Sequence, residues 1–207
     1  LLISAGELSA HENLRAVPNR IWISLGIVAP SIFLVLYSIA MASDPDYTFG
    51  KNYLSDLGVG PGAWAFNSGL IIAGLFLVLF SVRGIRALLG SLTVSMLASA
   101  FLALDGLLLA CIGVFTEAFD PEHYLFSISF FLTFLLTVWL MVVAMYKSKA
   151  LGSFGYLFSS VVGLVGILLL PMGGDPLSET IAVFAIIVWG AGMSIAAILK
   201  SYGHVIP

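Results

Sequence analysis

Charged residues fall along this chain at intervals that leave six apolar runs between them. The first run lies between Arg20 and Asp44, the second between Asp56 and Arg83, and the third from Arg86 to Glu117 with Asp105 inside it. The fourth lies between His123 and Lys147, the fifth between Lys149 and Asp175, and the sixth between Glu179 and Lys200. A bilayer core about 30 Å thick takes roughly 20 residues of α-helix, and each run is long enough to cross it. The runs lack two-residue alternation and are about twice as long as a barrel strand, so they predict helices and not an outer-membrane barrel. The expected fold is all-α: a polytopic bundle of six transmembrane helices over residues 21–200, with tails at 1–20 and 201–207.

Composition explains why lipid must be a partner. The 207 residues are 60% hydrophobic and 9% charged, with mean hydropathy +1.11. Eight Lys and Arg with eleven Asp and Glu cannot coat a 22 kDa globule, so the bilayer has to cover much of it. A net charge of −3 and scattered cations exclude a nucleic-acid footprint, and the single Cys111 excludes an internal disulfide framework.

The charges also orient the bundle. Arg15 and Arg20 precede the first run, Arg83 and Arg86 join the second and third, Lys147 and Lys149 join the fourth and fifth, and Lys200 follows the sixth. Only Lys51 shares the opposite end with Asp44, Asp46, Asp56, Glu117, Asp120, Glu122, Asp175 and Glu179. Because Lys and Arg in short loops stay inside, both termini are predicted cytoplasmic and the acidic loops outside a cell membrane. Residues 1–20 read either as an interfacial helix carrying Leu2, Leu8, Leu14 and Val17 on one face or as a flexible tail. Glu7, His11, Glu12 and Arg15 break the apolar core that a signal peptide needs.

Small residues at helical spacing mark expected contacts between helices: Ala65, Gly69 and Ala73, then Ser159 and Gly163, then Gly192 and Ala196. Polar residues within the runs carry more information, since lipid makes them costly. Asp105 lies about 13 Å in from the outer end of its helix. As an ion it would cost about 2.5–3.5 kcal/mol there, so it must be neutral, paired or wet. Asn67, Ser99 and Ser127 are its expected partners, and a purely structural hydrogen bond holding helices in register is an equal alternative.

His123 follows Asp120-Pro121-Glu122, a helix start with a candidate cap, a first-turn proline and an acid complementing the dipole. It is the best candidate general acid or base, with Ser55 and Asp56 as a hydroxyl and carboxylate that complete a conceivable triad. No Gly-x-Ser-x-Gly elbow accompanies Ser55. His11 and His204 fall at the opposite end from His123, which removes a three-histidine metal site and bis-histidine haem. Mixed ligation by His123 with Glu117, Asp56 or Glu179 matches no metal motif in spacing, so no metal is assigned and no cofactor is identified. Ser178 is the expected cap of the sixth helix, which places Glu179 in its first turn.

The run Asn52-Tyr53-Leu54-Ser55-Asp56-Leu57-Gly58, followed by Phe66-Asn67 and Gly69, resembles the six-span prokaryotic membrane proteins catalogued as domain of unknown function nine-nine-eight. Gly113-Val114-Phe115 leading to His123, and Glu179 with Trp189, are similar to later marks of that family. Thr116-Glu117-Ala118-Phe119 intervenes before Asp120-Pro121, a departure from the family pattern. The resemblance covers about residues 20–200 and implies a membrane-embedded helical fold, with no activity attached.

Asn52, Ser55, Asp56, Asn67, Asp105, Glu117, His123 and Glu179 all fall in outer loops or outer helix halves, while the inner half is almost bare. The leading expectation is an outward-facing polar pocket for a small polar molecule or lipid headgroup, with acid/base chemistry left open. His123, Asp56 and Ser55 are its catalytic candidates, and Asn52, Asn67, Asp105, Glu117 and Glu179 its binding candidates. The alternatives are a non-enzymatic subunit of a larger membrane complex and a transporter acting as a homo-oligomer. The transporter is disfavoured because no inverted repeat is evident and no polar path crosses the inner half. Glycosylation-site or cysteine-accessibility scanning is expected to find the Asp44–Asp56 loop outside, and a cytoplasmic location there would reverse the orientation.

Overall fold

A computed structural model describes the backbone of residues 5–203 and the side chains of residues 20–202. Among the described residues all regular structure is helical. Six helices carry it: α1 (Ala5–Ser43), α2 (Ala63–Leu89), α3 (Thr93–Val114), α4 (Glu122–Ser148), α5 (Gly152–Leu169) and α6 (Pro176–Gly203). Each contains a stretch long and apolar enough to cross a membrane, and that of α1 starts at Arg20. The amphipathic face expected on residues 1–20, together with His11 and His204, lies outside the described side chains.

The six helices form a ring in chain order: each packs on the next, and α6 closes the ring against α1. Short links force neighbours to alternate in direction, so the chain has two chemically distinct ends. At the basic end, the Arg20 guanidinium donates to the Ser201 carbonyl at 3.1 Å and lies 4.4 Å over the Tyr202 ring. Lys200 Nζ donates to the Ala150 carbonyl at 2.6 Å. Both cations thereby meet carbonyls that a helix end or turn leaves without a backbone donor. The opposite end gathers the loops of residues 44–62, 115–121 and 173–175.

Inside the ring, one apolar cluster includes Phe80, Leu102, Met141, Trp189 and Met193, and a second, nearer the acidic end, includes Phe33, Leu57, Phe66, Leu70 and Phe130. Outside it, Val35, Leu75, Leu107, Leu132, Leu168 and Leu199 stand exposed, the surface a lipid solvent requires. With apolar residues favoured equally inside and out, packing distance decides which helices meet. One close backbone approach joins α2 and α3. A Cβ at Gly74 would stand 2.5 Å from the Gly106 carbonyl oxygen, and one at Gly106 would stand 2.7 Å from the Gly74 carbonyl oxygen. Only glycine fits either place.

The expected small-residue faces meet various neighbours. Gly69 faces Phe33 and Leu36 of α1, Gly163 receives the Trp139 ring of α4, and Gly192 lies against Phe158 of α5. Trp189, 1% exposed, donates from Nε1 to Ser159 Oγ at 3.0 Å and ties α6 to α5. One feature has no trace in the apolar pattern. Helix α2 loosens to π-helical geometry over Phe80–Ile85, where buried Ser81 donates to the Ser99 carbonyl of α3.

Gly106→Val drives two methyl groups toward the α2 backbone and is expected to destabilise the protein by about 1–3 kcal/mol. Leu107→Val, on the exposed face of the same turn, is expected to change stability little. Thermal unfolding of the detergent-solubilised protein compares the two, and equal midpoints would refute the tight α2–α3 contact.

Candidate functional site

The loop between α1 and α2 is organised by its own side chains. Asn52 Oδ1 accepts from the Thr48 amide at 2.9 Å, and Asp56 Oδ2 accepts from Asn52 Nδ2 at 3.2 Å and from the Tyr53 amide at 3.0 Å. A 3-10 turn follows over Ser55–Gly58, with Leu54 and Leu57 buried beneath it. Two bonds fasten this loop to the bundle. Asn67 Nδ2 of α2 donates to the Gly58 carbonyl at 2.9 Å, and the Leu54 amide donates to Glu179 Oε2 of α6 at 2.8 Å.

Two helix starts complete the acidic end. Helix α4 begins at Glu122 and carries His123 in its first turn, buried, with Nδ1 2.7 Å from the Phe115 carbonyl oxygen. A carbonyl only accepts, so Nδ1 holds a proton, and in the neutral ring Nε2 is left as an acceptor. Nε2 faces Ser127 Oγ at 3.4 Å. Helix α6 begins at Pro176, and its cap is Asp175, not the expected Ser178: Asp175 Oδ1 accepts from the Ser178 amide at 2.7 Å. Proline suits the first helical position because its missing donor is not needed there, and that shifts the cap one residue upstream of it. The Ser178 hydroxyl donates to the Asp175 carbonyl at 2.8 Å.

Between α4, α5 and α6 lies a cavity of about 820 Å³. Ser55, Glu117, Asp120, His123, Ser127 and Glu179 line it toward the acidic end, and its lining contains no Lys or Arg. Its volume falls in the range of about 300–1,000 Å³ usual for small-molecule sites. A smaller cavity of about 120 Å³ occupies the ring interior and shares Ser55, Ser127, Phe131, Phe134, Glu179 and Ile186 as walls. Beside them, Tyr37 Oη and Tyr47 Oη stand 3.4 Å apart. Burial, the bond to Tyr37 and the neighbouring Glu179 and Asp56 carboxylates push ionisation of the Tyr47 phenol well above its ordinary range, so Tyr47 remains a neutral donor.

The structure therefore separates the candidate residues. Ser55, Glu117, His123 and Glu179 line the large cavity, whereas Asn52 and Asp56 brace the loop and Asn67 clamps it. Asp56 and Ser55 are neighbours in sequence, yet the carboxylate is turned to its own loop and forms no triad with His123. Glu179 does more than complement a helix dipole, since it accepts a bond from a residue 125 positions away. Among the described residues, no three His, Cys, Asp or Glu side chains are placed to hold a metal ion.

Asp105 lines neither cavity. It is fully buried, and its Oδ2 accepts from Thr137 Oγ1 of α4 at 2.6 Å, while Oδ1 has no partner. None of the expected partners bonds to it: Asn67 is engaged with Gly58 and Ser127 with His123, and the buried Ser99 hydroxyl has no partner. Depth counted along α3 alone misled the assignment, because α4 has 27 residues against 22 in α3 and brings a residue far down its length level with Asp105. The hydroxyl of Thr137 in an apolar run was the available signal.

Thr137→Val removes the donor from a buried carboxyl group and is expected to cost about 1–2 kcal/mol. Asp105→Asn keeps an acceptor there and is expected to cost less, while the double change Asp105→Leu with Thr137→Val should recover part of the loss. A double-mutant cycle read by unfolding in detergent tests this, and additive costs would refute the pairing.

No curated protein and no solved structure matches this chain. A family model does, over residues 27–199, a stretch that takes in the four middle spans, most of the first and last, and the cavity residues just described. The chain belongs to the family described as "Protein of unknown function (DUF998)".

Proposed function

We propose that this protein is a cell-membrane protein whose cavity at the acidic end opens outward and binds a small polar molecule or the headgroup of a lipid. The observation that supports this reading is the convergence of Ser55, Glu117, His123 and Glu179 on one cavity from three separate segments and the loop of residues 44–62. Positively charged residues in the short loops of the other end favour the outward orientation, with residues 21–200 as the membrane domain and both flanking tails cytoplasmic.

Within this reading His123 is the acid/base group. Its Nδ1 proton is committed to the Phe115 carbonyl, which leaves Nε2 to exchange a proton with Ser127 or with a ligand hydroxyl in the cavity. Glu179 serves twice, holding the loop through Oε2 and offering its second oxygen to a ligand. Asn52, Asp56, Asn67 and Asp105 have structural roles, since their bonds lie within the loop, between the loop and α2, or between α3 and α4.

Choline, ethanolamine, glycerol and inositol, as water-soluble headgroup analogues, test the reading through shifts in unfolding temperature. A ligand present at about a hundred times its dissociation constant adds about 2.7 kcal/mol of stability. At least one analogue is expected to stabilise the wild-type protein, and His123→Ala and Glu179→Gln are expected to lose that response while retaining their fold. Unchanged responses in both variants would remove the cavity from consideration as the site.

A further inference from the structure

We propose that the occupant of the large cavity is an amphiphile with a cationic amine head and an apolar chain, the head held among Glu117, Asp120 and Glu179 and the chain lying between α4, α5 and α6. The inference rests on the binding reading above and specifies its ligand class.

The shape of the cavity calls for the chain. Along α4 its lining runs from His123 to Val138, roughly 22 Å at helical rise. That length exceeds the depth of about 15 Å that one leaflet's hydrocarbon occupies, and it is far longer than a headgroup. Below Ser127 the chemistry changes: Phe131, Leu135, Val138, Val162, Ala185 and Ile186 present no polar side chain. A small polar ligand would fill the upper part and leave the lower part empty or wet, and an apolar chamber gives water no partners. An alkyl chain fills it and leaves no polar group unpaired. Ala182, with its short side chain in the α6 wall, leaves it room.

Charge selects the head. Three acidic side chains, Glu117, Asp120 and Glu179, line the mouth with no Lys or Arg among them. A phosphate, sulfate or carboxylate head would meet like charge there, whereas an ammonium finds opposite charge on several sides. The exposed rings of Tyr53 and Tyr124 at the same mouth add faces for a cation. Tail and head thus point to one ligand class from independent features of the cavity.

The test uses the full chain in phosphatidylglycerol nanodiscs and three diazirine photoprobes: a long-chain alkylamine, a fatty acid of equal chain length, and a short-chain amine. The alkylamine is expected to label the cavity walls of α4, α5 and α6 in preference to the lipid-facing side of α1, and the fatty acid to label both alike. Ala185→Phe, which fills the lower chamber, is expected to abolish the preference for the alkylamine and leave the short amine unaffected. Ala182→Leu, a smaller filling, should weaken it. Glu179→Gln should lower amine labelling roughly tenfold, as loss of one carboxylate close to the head in a partly dry site predicts. If the short amine labels the mouth as strongly as the alkylamine and neither filling variant matters, the chain is refuted while the headgroup reading stands. Equal wall labelling by the fatty acid refutes the cationic head. If no probe labels the mouth above the α1 background, both the inference and the binding reading fail.

Discussion

In the hydrocarbon core of a bilayer a backbone amide or carbonyl has no water to turn to, and every other feature of this protein is arranged around that. Each span must be a helix because only a helix satisfies these groups within one segment. Once it is a helix, burying more leucine earns nothing, since lipid is as apolar as a neighbouring side chain. The ring is therefore held by close backbone approach and by few hydrogen bonds. Gly74 and Gly106 bring α2 against α3, the Thr137 hydroxyl on Asp105 joins α4 to α3, and Trp189 on Ser159 joins α6 to α5. At Gly26 of α1, an added Cβ would sit 2.9 Å from the Gly190 carbonyl oxygen of α6, and this contact closes the ring.

The same economy accounts for the cavity. Helix α5 lies under α4 through Gly163 beneath Trp139 and Gly166 beside Leu135, and meets α6 at Phe158 with Gly192 and Ser159 with Trp189. Nearer the acidic end Gly166 of α5 and Ser178 and Ala182 of α6 are among the walls, short residues that leave part of the space between the helices to the cavity. Above it lies the loop of residues 44–62. It folds by satisfying its own amides with Asn52 and Asp56, and is fastened by Asn67 and Glu179. Several polar residues crowded at this end thus carry structure, and a smaller set is left facing the cavity.

Much of the fold was legible in the linear pattern. Six intervals between charges became six helices, because the free energy of inserting a charge is large and local, so charges mark span limits almost one by one. The first-turn position of His123 was legible from Asp120-Pro121-Glu122, although Pro121 itself takes the cap position and Asp120 does not cap, and so was the need of Asp105 for a partner. Thr137 as that partner was not, because the relative heights of two helices depend on tilt and on where their loops let them begin. Nor did the sequence distinguish Ser55 from Asp56. Adjacent residues in a 3-10 turn point in different directions, and one faces the cavity while the other ties the loop.

What the sequence alone determined is the set of spans, the sorting of basic and acidic residues to opposite ends, and family membership, since each depends on local composition or on ordered motifs. Only the tertiary structure decided the ring order, the π-helical break in α2, the cap at Asp175, the bond from Leu54 to Glu179 and the cavity between α4, α5 and α6. Those features depend on which helix faces meet and how closely. In lipid, small differences in side-chain size govern that choice, because the hydrophobic effect that makes burial legible in a soluble chain is absent between the helices.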